Sequence, residues 1–210
     1  MDKVTPAVPS QFVRAGKARP RALRCLALPL AILSCVLFAG LWLRAQAQQP
    51  KASEFQVKAA YLYNFGRFVE WPDQNSPDKS EAFEICVLGS DPFGPTLDAT
   101  LAKETIAGKS VTAKRISKPQ EIDSCRIVFI SSSEQGHLKE VLAALDKTSV
   151  LTVSDIPGFS ERGGMIGFIL DGDRVRFDVN LASARDARLT LSSELLKVAT
   201  NVRKDRPGAF

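Results

Sequence analysis

The chain has 210 residues, with 28 Lys+Arg against 23 Asp+Glu, one His, four Cys and 45% apolar side chains. That is the length of one domain, or of a small domain with a tail, and the apolar content excludes a wholly disordered chain. The formal charge of +5 invites a nucleic-acid reading, which holds only if the bases belong to the folded part.

They belong to the start of the chain instead. Six of the seven bases among the first 47 residues precede position 25, and an apolar run fills 25–43. Ala45-Gln46-Ala47 follows, with the small-x-small form of a signal-peptidase site. This order predicts a secretory signal peptide over 1–47, hence an exported protein. The long apolar run keeps an uncleaved membrane anchor as the alternative. Without that segment, 163 residues carry 21 bases and 22 acids, so nucleic acid is excluded as a partner. Cys86 and Cys125 remain. In an oxidising compartment they are expected to pair, the alternative being two buried thiols acting as small apolar residues.

Ser53 opens the first helix, with Gln56 at capping-box spacing. Phe55, Ala59, Leu62, Phe65 and Val69 form its apolar stripe, and Trp71-Pro72 ends it. Tyr61, Tyr63, Asn64, Phe68 and Trp71 fall partly off that stripe, more aromatic surface than one buried face needs. Next come a strand over 83–88, a helix over 96–103, a strand over 110–116 and a helical turn near 119–122. The strand over 127–130 is continuously apolar, as for a strand covered on both faces. Ser133 is expected to cap a helix over 134–145, and 150–153 is the following strand. Such alternation predicts parallel strands with right-handed crossovers.

The pattern then changes. Strands over 165–170 and 174–179 flank Asp171-Gly172-Asp173, a hairpin signal, with Arg176 on the second strand. Asn180 caps a helix over 181–188, and Ser192 or Ser193 caps another through 202. The expected fold is α/β: a three-layer-like, mostly parallel sheet flanked by helices, with a C-terminal β-hairpin and helices. The expected organisation is a signal peptide over 1–47, one domain over 48–202 and a flexible tail over 203–210.

Patterns that carry chemistry are sparse. His137 has no spaced partner, so it reads as an exposed helix residue, and neither a metal nor a cofactor is expected. Ser131-Ser132-Ser133 lacks a nucleophile elbow, and capping accounts for it. Asp171 and Asp173 suit a turn. Gly163-Gly164 precedes a strand, not a helix, so it reads as positive φ or close approach, with 157–162 as a mobile or binding loop. No residue is assigned a catalytic role. Tyr61, Tyr63, Asn64, Phe68, Trp71, Gly163, Gly164 and Arg176 are candidate contacts to a partner or ligand, aromatics being favoured at interface centres. The alternative buries the aromatics in the core. Two rival functions stand beside contact with a protein partner. One is a small-molecule sensing module, with its ligand between the first helix and Gly163-Gly164, coupled to a membrane signalling protein. The other is a hydrolase acting through Ser132 or Asp155.

Ala59-Ala60-Tyr61-Leu62-Tyr63-Asn64-Phe65-Gly66-Arg67-Phe68-Val69-Glu70-Trp71-Pro72 resembles the opening helix of the YfiR family of periplasmic regulators. Gly163-Gly164-Met165-Ile166 and Val175-Arg176-Phe177-Asp178-Val179-Asn180 continue the match, which spans about 52–202. The resemblance implies an α/β regulator, not an enzyme. It would bind the periplasmic sensor region of a YfiN-like inner-membrane diguanylate cyclase and lower cyclic-di-GMP signalling. It also implies release through a YfiB-like outer-membrane lipoprotein or through damage to the disulfide, and homodimers. Cys86 and Cys125 match one family bridge, whereas Ser160 and Asp178 leave the second pair of some members absent.

Overall fold

The structure, a computed structural model, describes residues 53–72, 82–146 and 148–204. The signal peptide expected over 1–47, the loop expected over 73–81 and most of the tail expected over 203–210 lie outside the described residues.

Helix α1 (Glu54–Phe68) starts where expected, because the Ser53 hydroxyl accepts the Gln56 N–H at 3.2 Å. Ala59, Leu62 and Phe65 face the core as the stripe required. The chain leaves α1 through a short strand, β1 (Val69–Glu70), which pairs antiparallel with β9 (Thr190–Leu191). Sequence gave no sign of this pair, since two residues meeting two others across the chain carry no local pattern.

Among the described residues the main sheet has eight strands. They are β2 (Ala82–Leu88), β3 (Thr105–Ile106), β4 (Lys109–Ile116), β5 (Cys125–Ile130), β6 (Leu151–Ser154), β7 (Ile166–Asp171), β8 (Arg174–Asn180) and β10 (Asn201–Arg203). Their spatial order is β10-β8-β7-β6-β5-β2-β4-β3. From β4 through β7 every neighbouring pair is parallel; β7–β8 and β3–β4 are antiparallel, and β10 joins β8 in parallel. The hairpin closes where Asp171 faces Arg174, with Gly172 at φ 58°, a left-handed value that glycine adopts freely.

Alternation along the strands divides the interior in two. Phe83, Ile85 and Val87 of β2 face one side, where α1, α2 (Pro95–Leu101), α4 (Leu181–Asp186) and α5 (Ser193–Val198) add Leu62, Leu97, Leu181 and Leu195. Cys86 and Leu88 face the other, against Leu138 and Val141 of α3 (Leu138–Ala144) and Phe159 of the 155–165 loop. Helices therefore cover both faces of a mostly parallel sheet.

Three expectations change. The helix after β5 begins as a 3-10 turn (Ser132–His137), and Ser131, not Ser133, caps it: its hydroxyl accepts the Ser133 N–H. The helix capped by Ser192 stops at Val198, because residues 201–203 are drawn onto the edge of the sheet as β10. Arg203, assigned to the tail, ends that strand and pairs with Glu161 at 3.2 Å.

Candidate functional site

In an open α/β sheet, ligands usually sit beyond the carboxyl ends of the strands, where the strand order reverses. That place is between β2 and β5, and the protein fills it with its own groups. The Ser90 N–H donates to the Ser133 hydroxyl at 3.0 Å, and that hydroxyl donates to Glu134 at 3.0 Å. Arg115 donates to both Asp98 oxygens at 2.8 and 2.6 Å, to Asp91 at 2.9 Å and to the Gly94 carbonyl. Asp98 is held below its usual carboxylate value, chiefly by the Arg115 hydrogen bond. Ser132, the proposed nucleophile, sits in the 3-10 turn beside this network, and Asp155 is engaged by Lys58 at 2.7 Å.

An open surface lies elsewhere, between α1 and α5. Tyr61, Asn64, Phe65 and Phe68 of α1, with Glu194, Leu195 and Val198 of α5 and Phe177 of β8, line a groove of about 290 Å³. Its floor is fixed by aromatic contacts: Tyr61 meets Phe65 at 5.8 Å and Phe177 at 5.4 Å between ring centroids, and Phe65 meets Phe177 at 5.2 Å. Such pairs are stiff, so the floor is preformed. Phe68 and Val198 stand at the rim, 36% and 64% exposed, and Glu194 and Asn64 supply the polar edge.

Three of the predicted contacts therefore meet in one groove: Tyr61, Asn64 and Phe68. The others go elsewhere. Tyr63 is half-buried near Arg67, and its hydrogen bond with Glu104 raises the phenol above its ordinary value. Trp71 is buried against Phe83 at 5.3 Å, so it belongs to the core, as the alternative reading held. Arg176 is exposed on β8 and pairs with Asp171 at 3.2 Å. Gly163 lines a small cavity with Leu142, Thr152 and Ser183, away from the α1 groove, whereas Asp155, Pro157 and Gly158 of the loop before it share a separate cavity with Glu54 and Lys58 of the first helix. Gly163 takes φ 104°, and Gly164 is there for close approach: a β-carbon on it would lie 2.1 Å from the Phe159 ring. The loop before them is anchored, not loose. Phe159 and Ser160 are buried, and the Asn180 amide donates to the Ser160 carbonyl at 2.9 Å.

Cys86 and Cys125 form a disulfide, with Cα atoms 5.8 Å apart, tying β2 to β5. Glu84 lies close to these sulfurs, but both are committed to the bridge, so the three make no open metal site. Outside the groove, sequence reasoning missed Lys58 and Glu54. Lys58 is 2% exposed and bound by Glu54 at 2.5 Å and Asp155 at 2.7 Å. The signal was present: Lys58 falls three residues after Phe55 and four before Leu62, inside the apolar stripe.

A family model described as YfiR/HmsC-like matches residues 55–200. The chain belongs to the YfiR/HmsC-like family. The family so described is one of periplasmic regulators of cyclic-di-GMP signalling. The YfiR/HmsC-like family is a regulatory one, not a known enzyme class. Among the described residues no helix is long and apolar enough to cross a membrane. Two solved structures are similar in outline. One is a conserved domain protein from Vibrio cholerae O1 biovar eltor, with 11% identity over 72% of this chain and a TM-score of 0.48. The other is an ABC domain in complex with L-Trp from Streptococcus pneumonia, with 14% identity over 69% and a TM-score of 0.49. This chain spans 60% of the length of each. Likenesses this remote carry no argument about function.

Proposed function

We propose that this YfiR/HmsC-like protein is exported by the segment 1–47 and represses a YfiN-like diguanylate cyclase by binding its periplasmic sensor region. The observation that supports this reading most is the groove between α1 and α5. It combines a rigid aromatic floor, two exposed apolar rim residues and a sparse polar edge, the composition of a protein-binding patch. Regulation by contact needs such a surface and no reactive group. Release by a YfiB-like lipoprotein, and a homodimer, belong to the same reading.

The test is cyclic-di-GMP measured in cells. Deleting the gene is expected to raise the nucleotide, and the parent sequence supplied in trans is expected to lower it again. An unchanged level after deletion would contradict the proposal.

A further inference from the structure

A second cavity, of about 410 Å³, lies at the N-terminal end of α1, where Glu54, Lys58 and Asp155 face Phe168, Ile169 and Leu170 of β7. We propose that it binds a small primary amine with an apolar body, the ammonium resting on Asp155 and the body on the β7 wall. The inference stands apart from the partner groove, which uses the other end of the helix.

Charge comes first. The Lys58 ammonium is almost wholly buried between the Glu54 and Asp155 carboxylates and lies 4.8 Å above the Phe55 ring. Two carboxylates and one ammonium leave a formal charge of −1 beside the cavity. A second ammonium makes the cluster neutral, which matters because unbalanced charge out of water is costly. An anion would meet two carboxylates and is excluded.

Hydrogen bonding points the same way. Asp155 Oδ2 accepts from the Lys58 ammonium, while Oδ1 is buried with no partner among the described residues. The Asp155 side chain as a whole is 19% exposed and lines the cavity, so a ligand N–H meets the carboxylate from there. The opposite wall is apolar. Phe168 is nearly buried, whereas Ile169 and Leu170 are 37% and 55% exposed, with nothing yet covering them. The cavity volume lies within the range that small-molecule sites occupy.

The test is calorimetric titration of the full chain with n-hexylamine, hexan-1-ol and hexanoate at one ionic strength. Hexylamine is expected to bind, hexanol about tenfold more weakly, and hexanoate not at all. Asp155→Asn is expected to weaken hexylamine about tenfold. That change also removes a Lys58 partner and can cost folding, so Leu170→Ala, at an exposed position, is the second variant. It is expected to weaken hexylamine about fivefold through lost apolar contact. The proposal is overturned if hexylamine fails to bind at millimolar concentration, if the three probes bind alike, or if Leu170→Ala binds hexylamine as the parent does.

Discussion

At Gly164 the neighbour that excludes a β-carbon is the ring of Phe159, itself 1% exposed and held in the second core layer. The ring has nowhere to move, so Gly164→Ala is expected to lower stability by about 2 kcal/mol through overpacking. Chemical denaturation measures this directly; an unchanged midpoint would show that the ring is free to shift. Asp178 gives a prediction of the opposite sign. Burial, then the charge of Glu161, raises its carboxyl above the ordinary value, and its Oδ1 is buried without a partner among the described residues. Between the unfolded value, about 4, and the raised folded value, the folded chain binds the proton more strongly. Stability therefore falls as pH rises through that window. Asp178→Asn is expected to melt higher than the parent at pH 7 and to lose this decline; a variant that melts no higher at pH 7 contradicts it. Lys58 marks the edge of what single residues reveal. Its place in the stripe was visible, but the carboxylate from residue 155 that makes burial tolerable comes from a distant strand end.

Among the elements, the bridge between β2 and β5 spans 39 positions of chain. Closing a loop of that size contributes about 4 kcal/mol in the chain-entropy account. A Cys86→Ala, Cys125→Ala double variant is expected to melt several degrees lower than the oxidised parent, and the parent in reductant is expected to approach it. Equal melting of oxidised parent and variant would mean that the bridge adds nothing to stability. Capping shows why element boundaries were only partly legible. Ser53 and Asn180 cap as expected, and of the two serines offered for the last helix Ser192 is the cap. In Ser131-Ser132-Ser133 three hydroxyls compete. Ser131 wins because it alone is the extended residue, at φ −66° and ψ 154°, before a 3-10 first turn. The strand at 201–203 was illegible for another reason: it exists only through pairing with β8, and no local periodicity marks three residues.

At the scale of the whole molecule, alternation of apolar strands and helices was enough to expect a layered α/β sheet with a terminal hairpin. It could not reveal which crevice the protein leaves open. The usual one is occupied by Ser133, Glu134 and Arg115, and the α1–α5 groove arises because Tyr61 and Phe65 meet Phe177, from another part of the chain, edge-to-face. Three of the eight lining residues, Tyr61, Asn64 and Phe68, lie off the apolar stripe of α1 and were visible in the sequence; the α5 wall was not. The basic excess of the full sequence lies within residues 1–47, outside this groove. The central claim is that the groove holds the sensor region of a membrane cyclase. Titrating the isolated periplasmic region of a YfiN-like cyclase against the parent and against Val198→Glu tests it most directly. Val198 is 64% exposed, so the substitution leaves the core untouched while placing a second acid one turn from Glu194 at the rim. The account predicts saturable binding to the parent and at least about tenfold weaker binding to the variant. Equal affinity for the two, or no binding to the parent, would contradict it.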